Sequence, residues 1–432
     1  MVAIAPFRAL RYNLERVGDV SEVIAPPYDV ISPDQQDRLY QRSPHNIVRL
    51  ILGKQFPDDR HGADRYSRAK DTLAQWRQEQ VLIRDPSPAI YVIEHQFTWD
   101  GQPRQRVGFI GLLQFEGSLP GQVYGHEATF DAPKADRTQL LDAVRAHLSP
   151  VFCILPDPHK QIERVLDEVR RQPPAASGEA QFGQSPTAAR PDRLRVWVLR
   201  EPGAIAQIQQ AAAAHAVLIA DGHHRFAVAL SRRALCPAVM TYFARLDDPA
   251  LIVRGYHRVV ALPDAATARL EQICRITPVA DRAALLERLN GTSGPGQFGL
   301  YRRAGWALAS VRPEALAGWL AAPSVPAGLA SLDVSILHHW LLPELGVPGA
   351  SASTIRYTPD PGDAASLVDR GEGRDWAWLL RPIPVPEIFA LSKQGLMLPQ
   401  KSTYFYPKVL SGLVINAFDD APASAPAARV EH

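Results

Sequence analysis

The chain has 432 residues, 46% of them hydrophobic, and a formal net charge of +2, which is enough apolar content for two or three compact units with sizeable cores. Acidic and basic residues are interspersed, so the composition speaks against a polybasic surface that holds nucleic acid by counterion release. Cys153, Cys236 and Cys274 form no C-x-x-C pair, and the apolar start of the chain is broken by Pro6 and Arg8 with no later run of membrane-spanning length; the expectation is a soluble cytoplasmic protein without a membrane partner, a disulfide framework or a cysteine metal site.

In chain order, Pro26, Pro27 and Pro33 bracket a short extended piece before "PDQQDRLYQ" takes up helical spacing. "DRYSRAKDTLAQWRQEQVL" predicts an amphipathic helix with Ala69, Leu73 and Trp76 on one side. "AIYVIEHQFTW" and "RQRVGFIGLLQFE", joined by "DGQPR", predict an antiparallel hairpin. Residues 171–192 are rich in Pro, Ala, Ser and Gly without periodicity and predict a long loop or linker. Beyond it, strand "LRVWVLR", helix "PGAIAQIQQAAAAH", strand "AVLIA", helix "HRFAVALSRRAL" and strand "PAVMTYFARL" alternate as in an α/β sheet unit. From about residue 263 helical segments such as "ARLEQICRI" and "AALLERLN" precede a strand "WAWLLRPI", and the tail 419–432 predicts disorder. The expected divisions are therefore 1–170, a linker at 171–192, 193–262, 263–418 and the tail.

The run "AVLIADGHHRFAVAL" places Asp221, Gly222, His223, His224 and Arg225 at a strand-to-helix turn. Gly222 can adopt the backbone angles of a sharp turn, the helix start favours an anion, and Arg225 adds a planar donor fork. Adjacent helical residues lie about 100° apart, whereas a helical zinc pair uses i, i+4 spacing, so the two histidines do not predict a shared metal. The alternative reading is structural: Asp221 caps the helix while the histidines and Arg225 are solvated.

Three further segments bear polar residues of the same kind. "GHEATFDAPKADR" gathers His126, Glu127, Thr129, Lys134, Asp136 and Arg137, as a pocket or as an exposed charged loop before "TQLLDAVRAHL". "GLMLPQKST" has Gly395, Lys401 and Ser402 at phosphate-loop spacing, but Gln400 stands where the second glycine belongs and Pro407 curtails a following helix; the P-loop is rejected, while Lys401, Ser402 and Thr403 are retained as phosphate contacts. "IAPPYDVIS" presents Tyr28 and Asp29 on a stiffened segment, and "SPHNIVRLILG" and "VRGYHRVV" place His45, Asn46, Arg49, His257 and Arg258 at strand-like edges.

Together "PPYDVIS", "HNIVRLILG", "HEATFDAPKADR", "ADGHHR", "YHRVV", "LDVSILH" and "LPQKSTYFYPK" resemble a bacterial and archaeal family known as a domain of unknown function, from about Pro6 to Gly412. Members of that family often sit beside genes of serine biosynthesis. Its "DGHHR" turn is similar to the phosphate-binding turn of the ParB and sulfiredoxin superfamily, which includes free-serine kinases. The resemblance implies a mixed α+β fold with a ParB/sulfiredoxin-like core and added N- and C-terminal α+β elements. Leu396 departs from the acidic residue that relatives carry, and "HHRFAVAL" lacks their "YETAL" ending.

The expected activity is phosphoryl transfer from ATP, ADP or pyrophosphate with Mg²⁺ to a small hydroxyl compound such as free L-serine. In that scheme Gly222, His223, Arg225, Lys401, Ser402 and Thr403 would bind the phosphates, and Asp221 would carry the metal. Glu127, His126 and His224 would be the acid–base groups beside Asp221, and Asp29, Arg137 and Arg258 would hold the substrate. A phosphatase using the same residues and a non-catalytic nucleotide sensor are the alternatives.

Overall fold

The hairpin expected within residues 89–116 forms the middle of the larger sheet. Strands Ile90–Trp99 and Gln102–Gln114 pair antiparallel, with Trp99 opposite Gln102. Asp100 and Gly101 between them take φ of 48° and 71°, the left-handed pair that matches a two-residue turn to the twist of its strands. The protein is described from a computed structural model, and the description covers residues 1–60, 62–118, 121–180, 191–347, 355–371 and 373–418. The tail expected to be disordered lies outside the described residues.

Two compact units emerge: one combines residues 1–124, 129–251 and the chain from 407 onward, and the other combines 125–128 with 252–406. The first is built on a nine-stranded sheet. From one edge its main order is Val123–Tyr124, Val217–Asp221, Val151–Leu155, Ala238–Arg245, the two hairpin strands in reverse order, Asp192–Leu199 and Ala176–Ala180, with Ile4–Ala5 also paired to Gln102–Gln114. Alternate residues Val151, Cys153 and Leu155, and Val217 and Ile219, enter one core, as the period of two requires. Ile162 and Leu166 of helix Gln161–Arg170, Ile208 of helix Pro202–Ala213 and Val228 of helix His223–Ser231 cover that face.

The second unit has a six-stranded sheet. Its order is Cys274–Val279, Gly305–Val311, Gln297–Arg302, Asp375–Leu379, His257–Ala261 and Ile355–Thr358, every pairing antiparallel. Both faces are covered. Trp376 and Trp378 join Phe298, Leu300, Ile336 and Leu337 on one side, while Ala377 and Leu379 meet Leu285, Leu289, Ala364 and Val368 on the other. A separate pair joins Ile252–Gly255 to Thr403–Tyr406.

These observations bear out the mixed α+β class and revise several local expectations. The segment 193–262 does not stand alone: its strands join the hairpin sheet, and Asp192–Leu199, Val217–Asp221 and Ala238–Arg245 are separated from one another there by strands from earlier in the chain. The supposed linker opens with strand Ala176–Ala180, antiparallel to Asp192–Leu199; its residues 181–190 lie outside the described residues. Residues 48–51 are helical, not a strand edge. Asn46 starts that turn by accepting the Val48 N–H and donating to the Glu22 and Ile24 carbonyls, so its role is structural. The charged segment before "TQLLDAV" is helical from Asp131, because the helix Asp131–Val144 includes Lys134, Asp136 and Arg137. The three cysteines are free and buried, and no helix of the described residues is long and apolar enough to cross a membrane.

Candidate functional site

In the first unit the turn at 221–225 has the expected backbone. Strand Val217–Asp221 ends where Gly222 takes φ 88°, and helix His223–Ser231 starts at the next residue. The first helical hydrogen bond runs from Phe226 N–H to the Gly222 carbonyl, 2.9 Å. Asp221 is not the cap, since the helix has no side-chain cap at all. Instead its carboxylate accepts from two cations: Arg225 Nη2 on Oδ2 at 2.7 Å, and Lys408 Nζ on Oδ1. The three side chains are only 13%, 12% and 6% exposed for Asp221, Arg225 and Lys408. Burial opposes ionisation of Asp221, but Lys408 and Arg225, with His223 adding to them, hold its carboxyl far below the usual range.

This arrangement corrects two expected roles. Arg225 is turned onto Asp221 and also donates to the Pro150 carbonyl, so part of its fork is committed within the chain. Asp221 does not fit a metal: both oxygens face cations, and a further dication would meet their repulsion. Among the described residues no group of three or more His, Cys, Asp or Glu could hold a metal ion. His224 Nε2 accepts the Phe130 N–H at 3.0 Å, which leaves its ring proton on Nδ1 if the ring is neutral.

Tyr28 and Arg137 belong to the same unit. Helix Asp131–Val144 presents Arg137, whose guanidinium carbon lies 3.8 Å from the Tyr28 ring centroid. Arg137 Nε donates to Asp136 at 2.6 Å and Nη1 to the Ile51 carbonyl at 2.9 Å. Asp136 also accepts from Arg65 and, at 2.7 Å, from the Tyr66 hydroxyl. Arg137 is thus engaged by ring, carboxylate and carbonyl. Burial, followed by the nearby Asp29 charge, pushes the Tyr28 hydroxyl up to about 12. Asp29 itself is exposed on the single turn Tyr28–Val30. A small cavity of about 60 Å³ touches Tyr28, Arg137 and Arg225, room for little more than ordered water.

The remaining expected site residues lie in the second unit. His126 is wholly buried and its Nε2 is 2.8 Å from Thr403 Oγ1. Its backbone carbonyl accepts the Leu398 N–H at 2.8 Å, so the "HExT" and "QKST" segments are neighbours here. Glu127 keeps a partly exposed side chain, 21%. Ser402 donates to the Pro399 carbonyl, and with Thr403 paired to His126 both hydroxyls have partners within the unit. Lys401 takes φ 55° and sets its ammonium 5.3 Å from the Tyr256 ring centroid, a left-handed conformation uncommon outside glycine. Strand Thr403–Tyr406 follows, where a phosphate loop would lead into a helix.

Arg258 is fully buried on strand His257–Ala261. Nε donates to His338 Nε2 at 2.9 Å, Nη1 to the Tyr256 carbonyl and Nη2 to the Gln400 carbonyl at 3.3 Å. His338 sits on a π-helical turn, Leu337–Leu341, a widened turn that often marks functional positions. Burial pushes the His338 imidazole down to about 3, which keeps it a neutral acceptor. The pairing of Lys408 with Asp221 is not legible in the sequence; lysine is scarce against arginine in the chain, yet Lys393, Lys401 and Lys408 cluster around the "KST" segment, a signal that marks a task for an ammonium group without saying which of the three carries it.

Comparison with solved structures finds likenesses at low identity. A free serine kinase in complex with AMP aligns at 14% identity over 66% of this chain and 83% of that chain, with a TM-score of 0.33. A conserved hypothetical protein from Pyrococcus furiosus aligns at 14% identity over 69% and 93%, with a TM-score of 0.33. SbnI with C-terminal truncation from Staphylococcus aureus aligns at 8% identity over 72% and 90%, with a TM-score of 0.38. No curated protein matches the sequence. The model of one family, described as a protein of unknown function (DUF1015), matches residues 4–335, and the chain belongs to that family.

Proposed function

We propose that the chain is a phosphotransferase that moves a phosphoryl group from a nucleotide or pyrophosphate to a small hydroxyl compound, with free L-serine the first acceptor to test. The turn at 221–225 carries the reading. A left-handed glycine enters a helix without a side-chain cap, beside Arg225 and Lys408 fixed on one carboxylate. Two cations around one anion leave a net positive locus at the positive end of a helix dipole. Phosphoryl transfer asks a protein chiefly for positioning and positive potential around the moving group. Asp221 acts here as a positioning residue for Arg225 and Lys408. Mg²⁺ would enter with the donor and supply charge neutralisation of its phosphates.

The test incubates purified protein and Mg²⁺ with ATP, ADP or pyrophosphate and an amino-acid mixture, and looks for a phosphorylated product by mass spectrometry. Product is expected with one acceptor, and Lys408→Met is expected to lower its rate by about 100-fold, the scale of losing one pre-organised charge, with the circular-dichroism spectrum unchanged. Donor hydrolysis that ignores the acceptor would replace this reading with the hydrolase. Nucleotide binding without turnover would replace it with the sensor.

A further inference from the structure

The second unit contains a cavity of about 500 Å³ whose lining includes Arg258, Leu332, Asp333, Arg381, Glu387 and Ser402. Its charges are not equivalent. Arg381 Nε and Nη2 meet Asp333 Oδ2 at 2.8 and 2.7 Å, and Arg381 also donates to the Thr292 and Gly294 carbonyls. Asp333 in turn accepts the Gly296 and Gln297 N–H groups. This pair is neutralised within the protein and ties the cavity wall together.

Arg258 is different. Its three hydrogen bonds all end on neutral acceptors: one imidazole nitrogen and two carbonyls. Glu127 acts on it only through space, and among the described residues no carboxylate lies within ion-pair distance of its guanidinium. Burying a cation without a counter-charge is costly, and that burial pulls the guanidinium down to about 10. A guanidinium has five N–H donors. Three are used, which leaves one on each terminal nitrogen of a group pinned by His338 and flanked by the Tyr357 ring at 5.3 Å. Arg137, the other arginine expected to hold a substrate, already has its carboxylate in Asp136.

We propose that this cavity binds a small organic acid, with Arg258 as the counter-ion that takes its carboxylate. Arg258 supplies one positive charge for one carboxylate, while Glu387 on the same lining adds a negative charge that disfavours a second anionic group. A phosphate ester brings ≈ −1.5 to −2 charges at neutral pH and would find only about half to two-thirds of them answered. The orientation set by His338 and by the Tyr256 and Gln400 carbonyls pre-organises the fork, as two-oxygen recognition of a carboxylate requires. The inference is independent of phosphoryl transfer.

Isothermal titration of the full chain, without nucleotide or Mg²⁺, tests it with L-serine, L-alanine, D-glycerate, ethanolamine and inorganic phosphate. At least one of the three carboxylates should bind, and ethanolamine, which keeps the amine and hydroxyl of serine but lacks its carboxylate, should not. Arg258→Lys should weaken binding by at least about tenfold because it keeps charge and loses the planar fork. Ser331→Trp, at an exposed lining position, should weaken it comparably and decides the matter alone if Arg258→Lys fails to fold. No binding by any carboxylate, ethanolamine binding as tightly as serine, phosphate binding as tightly as the best carboxylate, or binding indifferent to Ser331→Trp would each overturn the proposal. Carboxylate binding without any phosphorylated product would overturn the phosphotransfer reading and leave this one standing; the reverse pattern would do the opposite.

Discussion

The turn at 221–225 and the cavity at Arg258 bury charge in opposite ways. In the first, one carboxylate at a strand end holds two cations, so every member of the cluster has an opposite charge from its own chain. In the second, Arg258 is buried with neutral acceptors only. Self-compensated charge fixes geometry in the absence of ligand, whereas uncompensated charge leaves part of the neutralisation to whatever enters. The contrast separates a site prepared for positioning from one prepared for binding.

Deleting the central charge of the compensated cluster should have the largest effect. Asp221→Ala leaves Lys408 and Arg225 buried without a counter-charge and is expected to lower unfolding stability by about 3–5 kcal/mol, as for other broken buried pairs. Arg258→Met removes a cation that had no carboxylate and strands only neutral acceptors, at a cost of about 1–3 kcal/mol. Urea unfolding followed by circular dichroism compares the two variants. Equal losses would erase the distinction between the units' charge clusters. The pH dependence of the Asp221 contribution has a definite sign. A depressed folded-state carboxyl gives stability that is present above the ordinary carboxylate range and is lost only as pH falls through the lower folded value.

Local structure was much more legible than neighbourhood. The hairpin, the helix with Ala69, Leu73 and Trp76 inward, and the turn at 221–225 all follow from period and turn chemistry within a few residues, although the hairpin closes on Asp100 and Gly101 alone and not on the whole of "DGQPR". Strand order did not. Val151–Leu155 lies between Val217–Asp221 and Ala238–Arg245, and nothing in a period-two pattern names its partner. Gly299 and Gly305, together with the short strands Gln297–Arg302 and Gly305–Val311, hid a hairpin of the second sheet because glycine weakens the strand signal. In the site, residues four apart such as Asp221 and Arg225 could be related through helix geometry. Lys408, 187 residues from Asp221, could be identified as a lysine with a task but not as the partner of that carboxylate.

Buried histidines provide the next test of the contrast between units. Burial pushes His257 and His338 of the second unit and His147 of the first down to about 3. Between the ordinary value of 6.5 and about 3 the unfolded chain holds protons on these rings that the folded chain does not. Stability therefore falls as pH falls through that window, by about 1.4 kcal/mol per pH unit for each ring. Melting temperatures should drop between pH 7 and pH 5. His338→Gln should flatten the second unit's dependence by one proton, and an unchanged slope would mean that His338 charges freely in the fold.

The smallest expected difference compares the hairpins of the two units. Gly101 at φ 71° and Gly305 at φ 126° both have open space where a Cβ would be added, so substitution by alanine tests backbone conformation without a steric clash. The left-handed helical region costs an alanine about 1–2 kcal/mol. At φ 71° Gly101 lies near that region, and Asp100 beside it already occupies it with φ 48°. At φ 126° Gly305 lies well outside it, where L-residues have no comparable energy well. Gly305→Ala should therefore destabilise its hairpin more than Gly101→Ala destabilises its own. Amide exchange of the strands flanking each turn reads the two hairpins separately. The opposite order would show that tertiary packing around Gln102–Gln114 amplifies a turn defect more than backbone strain at Gly305 does.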